Sequence, residues 1–241
     1  FNYNIIYGCK INSVRYNHNG LNGITSWQWK FDNSIITTQN PLINYVDFYQ
    51  KNVSLVVTNG VCTDSSSVAI FFDNLLEAAF EGTPFACPDD NVIFADRSEG
   101  IITSWEWNFG NGSVSSMQNP PAQTYPVTAS TRTEIIQLII RNRYGCADTA
   151  RQKIKVINNC YIAVPSAFTP NGDGLNDYLY PLNAYKAKDL TFSVYNRFGQ
   201  RVFYSKEWTS KWDGTFKGQA ADPGTYVWML TFINSDTNLW V

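Results

Sequence analysis

Along residues 24–33 apolar rings fall on every second position: Trp27, Trp29 and Phe31 alternate with Gln28 and Lys30. A period of two sets all three rings on one face of a β-strand. The pattern returns at Trp105, Trp107 and Phe109. Asp32-Asn33-Ser34 and Gly110-Asn111-Gly112 follow, residue types that tolerate the positive φ of tight turns. Strands are predicted at 53–58 and 135–141, each ahead of a turn and a cysteine. In the last third, Phe192 and Val194 alternate with Tyr195 and Arg197. Phe198-Gly199-Gln200 predicts a hairpin turn, with 202–204 as the returning strand. Pro223-Gly224 predicts another turn, ahead of a strand over 225–233.

These strands belong to a repeat. Residues 24–33 and 102–111 are identical at seven of ten positions, at an offset of 78, and Cys9 and Cys87 share that offset. Gln39-Asn40-Pro41 returns as Gln118-Asn119-Pro120, and Cys62-Thr-Asp64 as Cys146-Ala-Asp148, with offsets drifting to 84. A period near 80 is too long for solenoid or propeller repeats and suits tandem sandwich domains. The predicted fold class is therefore all-β: three tandem Ig-like antiparallel β-sandwich domains, at 1–73, 74–158 and 159–241. Pairing Cys9 with Cys62 and Cys87 with Cys146 gives each repeat one equivalent bridge, which leaves Cys160 as the odd thiol.

Composition narrows the function. The chain has 241 residues, 16% charged, with a net charge of −2 and 15% aromatic residues. No basic stripe is present to neutralise a phosphate backbone, so no nucleic-acid partner is expected. No apolar run approaches the length of a membrane-spanning segment. The five cysteines form no CxxC pair, which argues against zinc and suits an oxidising compartment. Residues 1–10 lack the charged and apolar regions of a signal peptide, so any such leader is expected upstream. GxGxxG, P-loop, HExxH and GxSxG motifs are absent, and no enzyme activity is expected.

The segment Trp107-Asn-Phe109-Gly110-Asn111-Gly112 resembles the W-x-F-G-D-G turn of the PKD family of Ig-like sandwiches, with Asn111 at the usual Asp position. The first copy departs further. That resemblance covers roughly 1–157 and implies spacer or binding modules on an extracellular protein. Four later segments, in order, resemble the gliding-motility-associated C-terminal domain, the type B sorting signal of the type IX secretion system of Bacteroidetes. The first runs Pro165-Ser-Ala-Phe168-Thr-Pro170-Asn171-Gly172-Asp173-Gly174-Leu-Asn176-Asp177. The second carries Tyr195-Asn196-Arg197 and Gly199, the third Trp212-Asp213-Gly214, and the fourth Pro223-Gly224 and Tyr226. The resemblance implies export, surface attachment, and outer-membrane translocon and shuttle components as partners. It also implies a further strand and a basic tail beyond Val241.

Other readings stay open at this level. Asn171, Asp173, Asn176 and Asp177 place oxygens at alternating positions in a Gly-bearing turn, which suits calcium, a hard cation taking six to eight oxygen ligands. An Asx-rich turn bonding its own backbone explains the same residues. No cofactor is required. Trp27, Trp29, Trp105 and Trp107 are expected in the core, but could stack on a surface polysaccharide. Asp213 and Asp222 are better explained as turns than as a glycosidase pair. His18, the only histidine, aligns with Asp96. The leading reading is a secreted, cell-surface fragment of a gliding or adhesin-type protein with spacer repeats. The alternatives are an adhesin module that itself binds carbohydrate, or the tail of a polysaccharide-degrading enzyme.

Overall fold

A computed structural model describes residues 1–32 and 34–241. Asn33, assigned above to the first repeat's turn, lies outside the described residues. Strands dominate. The one helical piece among the described residues is a 3-10 turn, Ala184–Lys186.

The first repeat is two antiparallel sheets. Asn12–Asn17 pairs with Asn2–Ile6 and Leu42–Tyr45, while Ser26–Phe31 and Lys51–Thr58 sit centrally between Ser34–Ile36 and Thr63–Ile70. Alternation along Lys51–Thr58 turns Val53, Leu55 and Val57 inward, where they meet Val14, Tyr16, Trp29 and Phe31. The Trp29 and Phe31 rings stack at 10°. In the second repeat Ser104–Asn108 lies between Val114–Ser115 and Arg132–Arg141, with Ala147–Val156 and Phe85–Ala86 beyond. Its Trp107 and Phe109 stack at 8° and are wholly buried with Phe94, Ile136 and Leu138.

Residues 1–126 and 133–155 form one compact unit, and 127–132 with 156–241 form a second. The first unit holds both repeats. Both repeats fall in one unit because their ends are tied together. Cys9 is bonded to Cys146, not to Cys62. Cys87 is disulfide-bonded, as is Cys160, and Cys62 is the free, exposed thiol. Both predicted pairings, Cys9–Cys62 and Cys87–Cys146, are therefore corrected, and so is the assignment of Cys160 as the odd thiol. Repeat symmetry was their basis, and symmetry cannot register that the end of one repeat meets the start of the other.

In the second unit Ala187–Tyr195 is the central strand, flanked antiparallel by Arg201–Ser205 and Val227–Asn234. Gly199, at φ 75°, sits in the predicted hairpin turn, where Asn196 Oδ1 accepts from the backbone N–H of Phe198 and Gln200. Phe192, Val194, Leu190 and Phe232 form the core with Leu179 and Trp212.

Candidate functional site

The sequence segments that stand far apart in the last third come together around one loop, 221–226. Trp212 organises them. It is 2% exposed, its backbone pairs with that of Leu179, and its indole N–H donates to Thr215 O at 2.8 Å. Phe168 packs on it from the first segment, with ring centroids 5.2 Å apart, and Tyr226 from the fourth, edge-on at 4.9 Å. The Tyr226 hydroxyl donates to Asp222 O, closing its own loop, and Ala221 N donates to Gly214 O. Gly214 is required twice. Its φ is +76°, and a Cβ there would stand 2.7 Å from Pro170 Cγ.

This packing leaves a groove of about 640 Å³ between 165–171 and 221–226, floored by Leu179 and Trp212, with Trp228 along it. On the other side of the same loop a second groove, of about 580 Å³, is walled by Asn196, Arg197, Phe198, Val202 and Phe216. Phe198 is 79% exposed and lies under the Arg197 guanidinium. Sequence reasoning found most of these residues, but not Leu179 or Phe216, whose apolar character alone does not distinguish them from core.

The Asn171–Asp177 turn is tied up from within. Asp177 accepts backbone N–H bonds from Asn171, Gly172 and Gly174, at 3.1, 2.7 and 2.8 Å. Asp173 accepts from Leu175 N and from the Asn171 amide, and this amide bond, with the backbone one, holds its carboxyl below the usual range. Asn176 supplies a left-handed position, φ 53°. Backbone donors converge on these carboxylates, the hydrogen-bond pattern of an Asx-rich turn.

The repeat tryptophans serve the cores. Trp29 and Trp107 are fully buried and donate to Thr38 O and Met117 O, both at 3.0 Å. Trp27 and Trp105 are half-buried, and each gives its indole N–H to the residue aligned across the repeat, His18 Nδ1 or Asp96 Oδ2. His18 and Asp96 are thus the same device: each also accepts the backbone N–H two residues on, from Gly20 or Ser98. Burial pushes the Asp96 carboxyl up, but hydrogen bonds from Ser98, Trp105 and Gln118 outweigh it and hold the group below its usual value.

Asp213 accepts the backbone N–H and hydroxyl of Thr215, and the hydroxyl bond leads in holding its carboxyl low. The five carboxyl groups with a resolved shift, Asp47, Asp73, Asp96, Asp173 and Asp213, are all lowered. No helix of the described residues is long and apolar enough to cross a membrane.

Residues 162–240 match the CHU_C Type IX secretion signal domain. No curated protein matches the chain. Among solved structures, carbohydrate-binding modules of the β-sandwich superfamily are 13% identical over 70% of this chain and 88% of theirs, at a TM-score of 0.33. The fibronectin(III)-like modules of Clostridium thermocellum CbhA are 10% identical over 62% of this chain and 85% of theirs, at 0.29. Dimeric latent PorU from Porphyromonas gingivalis is 8% identical over 93% of this chain and 30% of its own, at 0.27. These three likenesses are too distant to bear on function. The family match, over residues 162–240, implies export by the type IX machinery to the cell surface or medium.

Proposed function

We propose that the C-terminal domain is read by the outer-membrane translocon and shuttle components of the type IX system through the paired grooves around 221–226. The observation that carries this is the convergence of all four sorting segments on that one loop. The two repeats act as PKD-like spacers on an adhesin-type surface protein. The chain itself is non-catalytic and needs no cofactor. Its Asn171–Asp177 loop shapes the groove wall by internal hydrogen bonds rather than by calcium.

The test uses exposed residues, so that folding survives. Trp228 is 43% and Phe198 79% exposed. Trp228→Glu and Phe198→Glu chains, made in a Bacteroidetes strain with a working type IX system, are expected to accumulate folded in the periplasm. Normal delivery of both variants to the surface would refute the groove reading.

A further inference from the structure

The bridge that departs from repeat symmetry sits at the joint between the repeats. Cys9 stands in the loop after Asn2–Ile6, and Cys146 directly before Ala147–Val156. Asn74, between the repeats and almost wholly buried, trades amide bonds with Asn12 at 3.0 and 2.8 Å and donates to Gly8 O at 2.8 Å. Its own carbonyl accepts from Asn142 Nδ2 at 3.3 Å. Asn142 Oδ1 in turn accepts the N–H of Tyr144 and of Cys146. Tyr7 stacks on Tyr144 at 4.1 Å, and the Tyr144 hydroxyl donates to Asp73, which also pairs with Arg143.

We propose that the Cys9–Cys146 bridge is a redox-operated lock on this joint: oxidised, it fixes the two repeats to each other; reduced, it lets them hinge at 73–75 while each keeps its own core. Three observations support it. The first repeat's buried core is drawn from residues 14–72, and the buried apolar residues of the second begin at Ala86. The two cores therefore share no residue. No strand of one repeat pairs with a strand of the other among the described residues. Among the described residues, the hydrogen bonds, ion pair and ring contact across the joint lie within four residues of a bridged cysteine or in 73–74. When the joint opens, water takes the place of these partners, so the bonds resist opening less than their burial suggests and the covalent tie is the strongest single restraint.

Closing the lock takes two electrons and two protons from the two thiols. A disulfide-bearing oxidant accepts them and becomes its dithiol, and one S–S bond forms. Opening is the reverse, with a dithiol as reductant. Oxidising compartments support closure and the cytoplasm does not, so the repeats become one rigid piece only on export.

The experiment is amide hydrogen exchange read by mass spectrometry on the full chain and on its Cys9→Ser/Cys146→Ser variant, which leaves the bonds at Cys87 and Cys160 in place. Exchange should rise about tenfold or more in peptides spanning 5–12, 72–76 and 142–146, and stay within about twofold across Lys51–Thr58 and Arg132–Arg141. Unchanged exchange at the joint would overturn the lock. An equal rise in the core strands would overturn it too, by showing that the bridge supports the repeats' folding and not their orientation. Asn74→Ala, which weakens the joint and leaves the sulfurs alone, should raise joint exchange less than the serine variant. An equal or larger rise would give the holding role to the amides.

Discussion

Replacing Gly214 with Ala perturbs the centre of the sorting domain in two ways that can be separated. The residue sits at φ +76°, so an L side chain there costs about 1–2 kcal/mol in backbone strain. Its new Cβ would also stand 2.7 Å from Pro170 Cγ and 3.3 Å from Pro170 Cβ, inside van der Waals contact with a ring that cannot rotate away. Forcing one methyl into such a site costs about 1–3 kcal/mol more. The expected loss is therefore about 2–5 kcal/mol, a large part of the roughly 5–15 kcal/mol that holds a domain folded. Gly218 supplies the control, since it has φ +79° but nothing within 4 Å of its would-be Cβ. Gly218→Ala should lose only the backbone strain. Urea unfolding of each full-length variant, followed by tryptophan fluorescence, gives the two midpoints. With a slope of about 1–3 kcal/mol per molar, Gly214→Ala should unfold about 1 M earlier than Gly218→Ala. Adding Pro170→Ala should recover most of that difference. Equal midpoints for the two glycine variants would refute the reasoning, because the Trp-Asp-Gly glycine would then be an ordinary turn residue.

Other outcomes follow from the same geometry. Under native, non-reducing conditions a thiol reagent should modify one cysteine per chain, and peptide mapping should find it at Cys62, the exposed free thiol; labelling at Cys160 would contradict the assignment. Asn74→Ala removes the partner of the buried Asn12 amide and should cost about 2–3 kcal/mol in thermal or urea unfolding, against less than 1 kcal/mol for a surface amide. The Asp96 carboxyl has its folded pKa below its unfolded one, so its stabilisation is full above about pH 4 and fades as pH falls through the folded value. Asp96→Asn should accordingly flatten the acid limb of the stability profile; an unchanged limb would count against it. Trp107→Ala empties a fully buried site and should lose about 3–5 kcal/mol, whereas an exposed sugar-stacking ring would lose under 1 kcal/mol.

Much of the fold was legible because period-two alternation has one physical meaning. Trp29, Phe31, Trp107 and Phe109 are buried where the pattern put them, and Asn196 to Gln200 turn where the glycine said they would. The alignment of His18 with Asp96 carried more than it disclosed. A neutral imidazole nitrogen and a carboxylate oxygen both accept an indole N–H, so one role survives the exchange of residue type. Bridge pairing was not legible. A cysteine's partner depends on which ends meet in space, and the repeat supplied a symmetric answer that the Cys9–Cys146 joint breaks. Nor could the sequence show Asn12, Asn74 and Asn142 as buried, since asparagine is usually an exposed turn residue, and only the converging partners make its burial affordable. The four sorting segments were readable one by one. That Trp212 gathers three of them, and that loop 221–226 separates two grooves, needed the tertiary structure.

The most direct test of the central claim is delivery. A reporter with its own signal peptide would be joined ahead of the full chain, and separately ahead of the chain lacking 159–241, in Bacteroidetes strains with and without a working type IX system. The account predicts reporter at the surface or in the medium only for the full chain in the competent strain, with periplasmic retention in the other three cases. Delivery that survives loss of 159–241 would contradict it, as would delivery that survives loss of the secretion system.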